Sequence, residues 1–186
     1  MLALLLTWRE LGGLPWSRVR DALWLRAPRD PKTGRTGGRL WWWALPFVAG
    51  FALKAVVPGI PGRATRDLDA FLSSAQGRAF FHGAWGWFAL VVVMNVFNTV
   101  LGEELLFRGL LLPRMRGVFG RGDWLANGVL FALYHLHQPW TIPTNLLDPF
   151  VIVYPARRFQ STWLGIIVHS SQAVFFGIPL LALVLA

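Results

Sequence analysis

The sequence predicts an all-α protein, a polytopic transmembrane helical bundle with a polar cavity inside the membrane. The chain of 186 residues has the length of one domain, and 55% of its residues are hydrophobic, which exceeds the share in soluble domains. So small a soluble domain has too little interior to bury that much apolar surface. The 11 Trp residues also favour a membrane protein, because indole rings concentrate where headgroups meet hydrocarbon.

The charge pattern points to the same class. The formal net charge is +9, and the Arg residues fall between apolar segments, as the positive-inside rule expects for cytoplasmic loops. We therefore expect membrane lipid, and not nucleic acid, as the partner of these charges. The chain has no Cys, which excludes disulfides, thiolate catalysis and Cys-ligated metal from it.

The apolar segments divide the chain into two parts. Residues 1–39 are predicted to be a basic cytoplasmic N-terminal segment, part of which could lie on the membrane surface as a helix with its Trp side chains in lipid. Residues 40–186 are predicted to be the transmembrane domain. Its first span would be Leu40 to Val57, and the stretch from Pro58 to Gln76 would be an external loop.

Further spans are predicted in the second half of the chain. Ala84 to Leu112 is longer than the ~20 residues that a bilayer requires, so we expect a tilted or broken helix that ends at Pro113. Trp124 to Leu136 would cross back, and Ser161 to Ala186 would be the last span. Leu146 to Tyr154 is too short to cross alone, and its path is left open. These segments predict about four to six membrane helices.

Ionisable residues interrupt three of these apolar segments. Glu103, Glu104 and Arg108 lie in the first, His135 in the second and His169 in the third. A charged group at membrane depth costs about 2.5–3.5 kcal/mol on insertion scales, so each of these residues is expected to have a partner or a function. Glu104 and Arg108 would share a helix face and pair, whereas Glu103 would point elsewhere and be available as a base.

The spacing to flanking Arg residues predicts that these groups lie at one depth. Glu103, His135 and His169 are each 11 to 14 residues from the nearest predicted cytoplasmic Arg. At ~1.5 Å per helical residue, all three would lie roughly 16–21 Å from the same membrane face. Taken singly, Glu104 and Arg108 could be a structural ion pair and His135 a hydrogen-bonded interior histidine. Their combination favours a functional site.

Three motifs carry a resemblance to a known family. In chain order they are Glu103-Glu104-x-x-x-Arg108, Phe131-x-x-x-His135 and His169. They resemble the motifs of the CPBP intramembrane proteases, which include the CAAX prenyl endopeptidases and bacterial proteins linked to bacteriocin processing and self-immunity. The resemblance covers residues 84–186. It implies an endopeptidase of the bacterial plasma membrane, open to the cytoplasm, that cleaves a peptide bond in a membrane-associated protein or peptide.

The resemblance also implies roles for the site residues. Glu103 would activate a water molecule with help from His135. Glu104 and Arg108 would orient these two groups. His169, together with a donor one helical turn later, would stabilise the oxyanion that forms on the peptide carbonyl.

The sequence departs from the family at that last donor. Four residues after His169, where the family has Asn, this chain has Ala173, which has no side-chain donor. Gln172 lies on a neighbouring part of the same helix face and is the candidate substitute. Loss of an oxyanion donor costs about 10²–10³ in rate. The alternatives are therefore a non-catalytic membrane scaffold or immunity protein of the same fold and, less favoured, a proton or cation transporter.

The sequence leaves metal dependence open. Glu103, His135 and His169 are ligands of the types that hold a catalytic zinc with one open position. One divalent metal such as zinc is therefore one alternative, and direct activation of water by Glu103 is the other.

Overall fold

The protein is described by a computed structural model, which covers residues 2–57, Ile60 and 66–186. In these residues the regular structure is helical, with two isolated β-bridges and no strand. The predicted all-α class is therefore confirmed. Pro58 and Pro61, which we placed in an external loop, lie outside the described residues.

The helices are numbered here in chain order. They are α1 Leu2–Leu11, α2 Trp16–Ala22, α3 38–56, α4 Leu68–Leu72, α5 Ala75–Phe81, α6 Trp85–Met115, α7 Asp123–Tyr134, α8 139–145, α9 149–159 and α10 Thr162–Leu185. Four of these are composite: α3 has 3₁₀ turns at both ends, α8 begins as 3₁₀, and α6 and α9 contain π-helical stretches. A single turn residue, Ser171, interrupts α10.

The long helix α6 runs through the middle of the fold. It is unbroken and continues past Pro113 to Met115, so the expected end at Pro113 is wrong. Pro113 lies in the closing α-helical turn Leu112–Met115, and the helix ends two residues after it. From Phe97 to Leu111 the backbone winds as a π-helix with i→i+5 hydrogen bonds, and short π-helical stretches are frequent at functional sites.

Two helices in the described part of the chain are long and apolar enough to cross a membrane. They are α6, with 31 residues, and α10, with 24 residues, whose most apolar windows of 18 residues have mean hydropathies of 1.6 and 1.8. Only 28% and 22% of their most apolar windows are buried in the protein, so most of this surface faces outward. The predicted segment Trp124 to Leu136 forms α7, whose 12 residues are fewer than the ~20 needed to cross. The number of crossings stays a prediction.

The segment Leu146 to Tyr154, whose path was open, continues into its C-terminal flank as α9. Arg157 and Arg158 lie in the last turn of that helix. Arg157 Nε donates to Asp123 Oδ2 at 2.7 Å, and Arg158 Nη1 donates to Asp30 Oδ1 at 3.0 Å. The two bonds tie α9 to α7 and to the N-terminal segment. The backbone N–H of Lys32, assisted by Arg158, holds the pKa of Asp30 below its usual range.

Apolar clusters attach the short helices to the ends of α6 and α10. Residues of α1, α2 and the following turn pack against the C-terminal half of α6, in a cluster that contains Ala3, Val19, Leu23, Leu105 and Leu110. Near the other end, α4 and α5 pack against the start of α6 and the end of α10, in a cluster that contains Leu72, Phe81, Leu180 and Val184.

Gly128 permits the close packing of α7 against α9, and its replacement tests this packing. A Cβ at Gly128 would lie 2.8 Å from both Cβ and Cδ of Pro149 and closer still to its Cγ. Because these atoms belong to a rigid ring, we expect Gly128→Ala to destabilise the protein by about 1–3 kcal/mol, measured as a lower Tm in detergent. Gly86→Ala is the control, since no atom lies within 4 Å of its added Cβ. An equal Tm for the two variants would contradict the α7–α9 contact.

Candidate active site

Glu104 lies at the centre of a buried polar cluster between α6 and α10. Its side chain and that of Arg108 are fully buried, and Glu104 Oε1 lies 3.2 Å from Arg108 Nη1. The same oxygen accepts a hydrogen bond of 2.8 Å from Nδ1 of His169 on α10. With Glu104 ionised, as its pairing with Arg108 favours, the carboxylate can only accept, so the proton of the neutral imidazole lies on Nδ1 and Nε2 is without one.

Arg108 is held in the cluster by charge and by an aromatic ring. Its contact with Glu104 has the distance of an ion pair without the alignment of a hydrogen bond, and none of its guanidinium nitrogens has a hydrogen-bond partner in the described residues. The guanidinium carbon lies 4.2 Å from the centroid of the Phe131 ring, which is a cation–π distance. Glu104 Oε2 also lacks a partner. Buried polar atoms of this kind are costly unless water or a ligand satisfies them.

Glu103 approaches the other nitrogen of the same imidazole. Its Oε2 lies 3.7 Å from Nε2 of His169, and both residues are 5% exposed. This separation is too long for a direct hydrogen bond, and a water beside both atoms could bond to each. One imidazole thus joins the two carboxylates, with Glu104 at Nδ1 and Glu103 facing Nε2.

The π-helical winding of α6 determines where Glu103 points. Asn98 Nδ2 donates to Glu103 Oε1 at 2.7 Å, a contact between residues five apart. The wider π turn aligns such residues, whereas an α-helix aligns those three or four apart. An α-helix would place Asn98 and Glu103 on different faces. No residue pattern in this stretch signals the change of winding.

His135 lies beside this cluster without joining it. The last turn of α7 ends at Tyr134, and His135 Nδ1 lies 2.9 Å from the carbonyl oxygen of Phe131 on its own helix. In the described residues no hydrogen bond or ion pair joins His135 to either carboxylate. The Phe131 ring lies next to both imidazoles, with centroids 4.8 Å from His135 and 5.6 Å from His169. The expected pairing of Glu103 with His135 therefore differs from the structure, in which His169 faces Glu103.

The three ligands proposed for a metal are not assembled. In the part of the chain that the structure describes, no three His, Asp or Glu side chains are placed to hold a metal ion. Glu103 and His169 face each other, but His135 is turned towards a backbone carbonyl. Since a catalytic zinc takes three protein ligands, the residues as placed do not fit one.

Gln172 contacts α6 one helical turn before the two carboxylates. Its Nε2 donates to Thr99 Oγ1 at 3.1 Å, and Thr99 is buried. An amide nitrogen carries two N–H groups, so one donor of Gln172 is used by Thr99 and the second is free in the described residues.

Two further residues shape the site. Gly165 on α10 faces the ion pair, and a Cβ there would lie 2.5 Å from Glu104 Oε2 and 3.2 Å from Arg108 Cγ. Its missing side chain allows the two helices to approach. Phe51 on α3 places its ring edge-on to His169, with centroids 5.9 Å apart. Phe51 does not stand out in a chain that has 14 Phe residues.

A cavity of about 710 Å³ lies apart from these residues. Segment 66–76 and Gln138 provide its walls, and no residue of the Glu104 cluster lines it. The polar cavity predicted around Glu103 thus stays a prediction.

The buried ion pair makes a testable contribution to stability. Glu104→Ala would leave Arg108 as a buried cation without a counterion, so we expect a loss of about 3–5 kcal/mol in the free energy of unfolding. The double variant Glu104→Ala/Arg108→Met removes both charges and should recover part of that loss. Glu10→Ala is the matched control, because Glu10 is half-exposed in its pair with Arg114 and such pairs contribute about 0–1 kcal/mol. Denaturant unfolding in detergent that gave equal losses for Glu104→Ala and Glu10→Ala would refute this account.

Comparison with known proteins places the cluster in a family. The family model described as type II CAAX prenyl endopeptidase Rce1-like matches residues 85–175, about half of the chain. The match includes both carboxylates, Arg108, both histidines and Gln172. No curated protein and no solved structure matches the chain. Together with the two apolar helices, the family match indicates an integral membrane protein. Through its residues 85–175, the chain is a relative of the CAAX prenyl endopeptidases of the CPBP family.

Proposed function

We propose that the chain is an intramembrane endopeptidase of the CAAX-protease type, which cleaves a peptide bond in a membrane-associated protein or peptide. The observation that carries this proposal is the arrangement Glu104–His169–Glu103 at the contact between two apolar helices. A structural ion pair between Glu104 and Arg108 does not by itself require a second carboxylate that faces the same imidazole. The family match over these residues supports the same reaction.

The geometry supports direct activation of water. A water held between Glu103 Oε2 and His169 Nε2 would direct its hydrogens to these two acceptors and its oxygen lone pair to the substrate. Glu103 takes the proton as the water oxygen attacks the peptide carbonyl carbon. When the tetrahedral intermediate collapses, the C–N bond breaks and the proton passes to the leaving amine. Glu104 and Arg108 are positioning residues, because Glu104 holds the imidazole and Arg108 pairs with Glu104.

His169 therefore takes a different role from the one that the resemblance implied. Its Nδ1–H bonds to Glu104, so in the neutral ring Nε2 is an acceptor and cannot donate to an oxyanion. We assign the oxyanion contact instead to the free N–H of Gln172. His135 lies behind the ring of Phe131 and supports the site from the side of α7.

The substrate and orientation follow from the same proposal. The reacting groups lie within the two apolar helices α6 and α10, so the scissile bond must enter the membrane or reach its edge. The C-terminal region of a lipidated protein, a small membrane protein or a peptide meets this condition. We place the Arg-rich end of the bundle in the cytoplasm, in a bacterial plasma membrane.

Substitution of the base tests the proposal. In proteoliposomes that contain lipidated CAAX-type peptides, we expect Glu103→Gln to lower the cleavage rate by about 10²–10⁴-fold, the usual contribution of a general base. Glu10→Gln is the matched control, since the same chemical change at a partly exposed residue should leave the rate unchanged. Mass spectrometry of the products reports both rate and cleavage position. Equal cleavage rates for the two variants would contradict the assignment of Glu103 as the general base.

The same preparation separates the alternatives. A scaffold or immunity protein would not cleave the peptides, and its scaffold or immunity function would be retained in the Glu103→Gln variant. A transporter would instead show a proton or cation flux across the proteoliposome membrane. Cleavage that a chelator abolishes and zinc restores would show that a metal binds despite the placement of His135.

A further inference from the structure

The net charge of the protein is confined to one end of the bundle. We define the basic end as segments 7–39, 114–123 and 157–158. These segments contain thirteen of the 18 Lys and Arg residues and four of the nine Asp and Glu residues. The rest of the chain has five of each kind, so the formal charge of +9 arises entirely at the basic end.

Contacts between helices gather these segments on one surface. Arg114 at the end of α6 pairs with Glu10 at the end of α1. Arg157 and Arg158 at the end of α9 pair with Asp123 and Asp30. The N-terminal segment is also bonded to the start of α10, since the Thr162 backbone N–H donates to the Trp24 carbonyl at 2.9 Å. Loops that are distant in sequence thus form a single face.

The carboxylates of this face are all used internally. Glu10, Asp30 and Asp123 pair as described, and Asp21 lies 3.4 Å from its neighbour Arg20. No carboxylate is left to neutralise the other cations. Eight of these are exposed, and their side chains have no hydrogen-bond or ion-pair partner in the described residues: Arg9, Arg18, Arg29, Lys32, Arg35, Arg39, Arg116 and Arg121.

Exposed Trp side chains accompany these free cations. Trp8 and Trp16 are 51% and 63% exposed, and Trp42 and Trp43 at the start of α3 are 68% and 50% exposed. Indole rings in this position are typical of the boundary between headgroups and hydrocarbon. A surface that bound only soluble anions would gain nothing from four exposed indoles.

We infer that the basic end binds the headgroups of anionic phospholipids. Guanidinium groups form charge-assisted hydrogen bonds with phosphate oxygens, and clusters of about 4–8 cations beside a membrane helix attract anionic lipids. The Trp rings enter the same leaflet and place the free cations at headgroup level. This surface is separate from the Glu104 cluster, so the inference does not depend on catalysis.

Thermal unfolding of the purified chain in neutral detergent tests the inference. We expect phosphatidylglycerol to raise Tm more than an equal amount of phosphatidylcholine, and salt to reduce the difference because it screens exposed charges. Arg18→Gln/Arg39→Gln should lose a measurable part of the phosphatidylglycerol shift. Arg18→Lys/Arg39→Lys, which keeps the charge, should retain most of it.

Two controls make the result decisive. Arg66→Gln/Arg78→Gln removes two cations outside the basic end and should leave the lipid shift unchanged. Inorganic phosphate and a short duplex DNA, supplied at the same phosphate concentration, should not reproduce it. Equal shifts with the two lipids, an equal loss in the control variant, or an equal shift with phosphate or DNA would each overturn the inference.

Discussion

The Glu104 carboxylate, shared between Arg108 and His169, is the interaction on which the rest of the site depends. All three residues are buried, and a charge removed from water is tolerated only when its partners are in place. Arg108 supplies the opposite charge, and His169 supplies a hydrogen bond from the neighbouring helix. The carboxylate therefore fixes the register of α6 against α10, and Gly165 provides the space in which this register is possible.

The surrounding helices extend this constraint beyond the part of the chain that matches the family. Phe51 on α3 and Phe131 on α7 contact His169 with their ring edges from two directions, so the imidazole has little freedom to turn. Lys54, near Phe51, forms an ion pair with Asp148 beside α9 and ties α3 to the bundle. The N-terminal half thus helps to hold the histidine although residues 85–175 alone carry the family match.

The sequence was informative where a residue type conflicts with its surroundings. Charged and imidazole side chains in apolar segments are costly, so Glu103, His135 and His169 were expected at one site. The structure brings His169 to Glu103 and Glu104, whereas His135 contacts only its own helix. Features that depend on backbone winding were not foreseeable. The π-helical turns place Asn98 next to Glu103, and the end of α7 turns His135 back to its own helix. Neither effect has a periodic signal in a single sequence.

The most direct test is the protonation of His169, read by ¹⁵N NMR on protein with labelled histidines at pH 8. The chain has 4 His residues, and His169→Gln assigns the signal. If Glu104 holds the ring as described, His169 will have a protonated Nδ1 and a free Nε2, and Glu104→Ala will remove this preference. A His169 signal with the proton on Nε2, or one that is indifferent to Glu104→Ala, would contradict the shared carboxylate and the activation of water that depends on it.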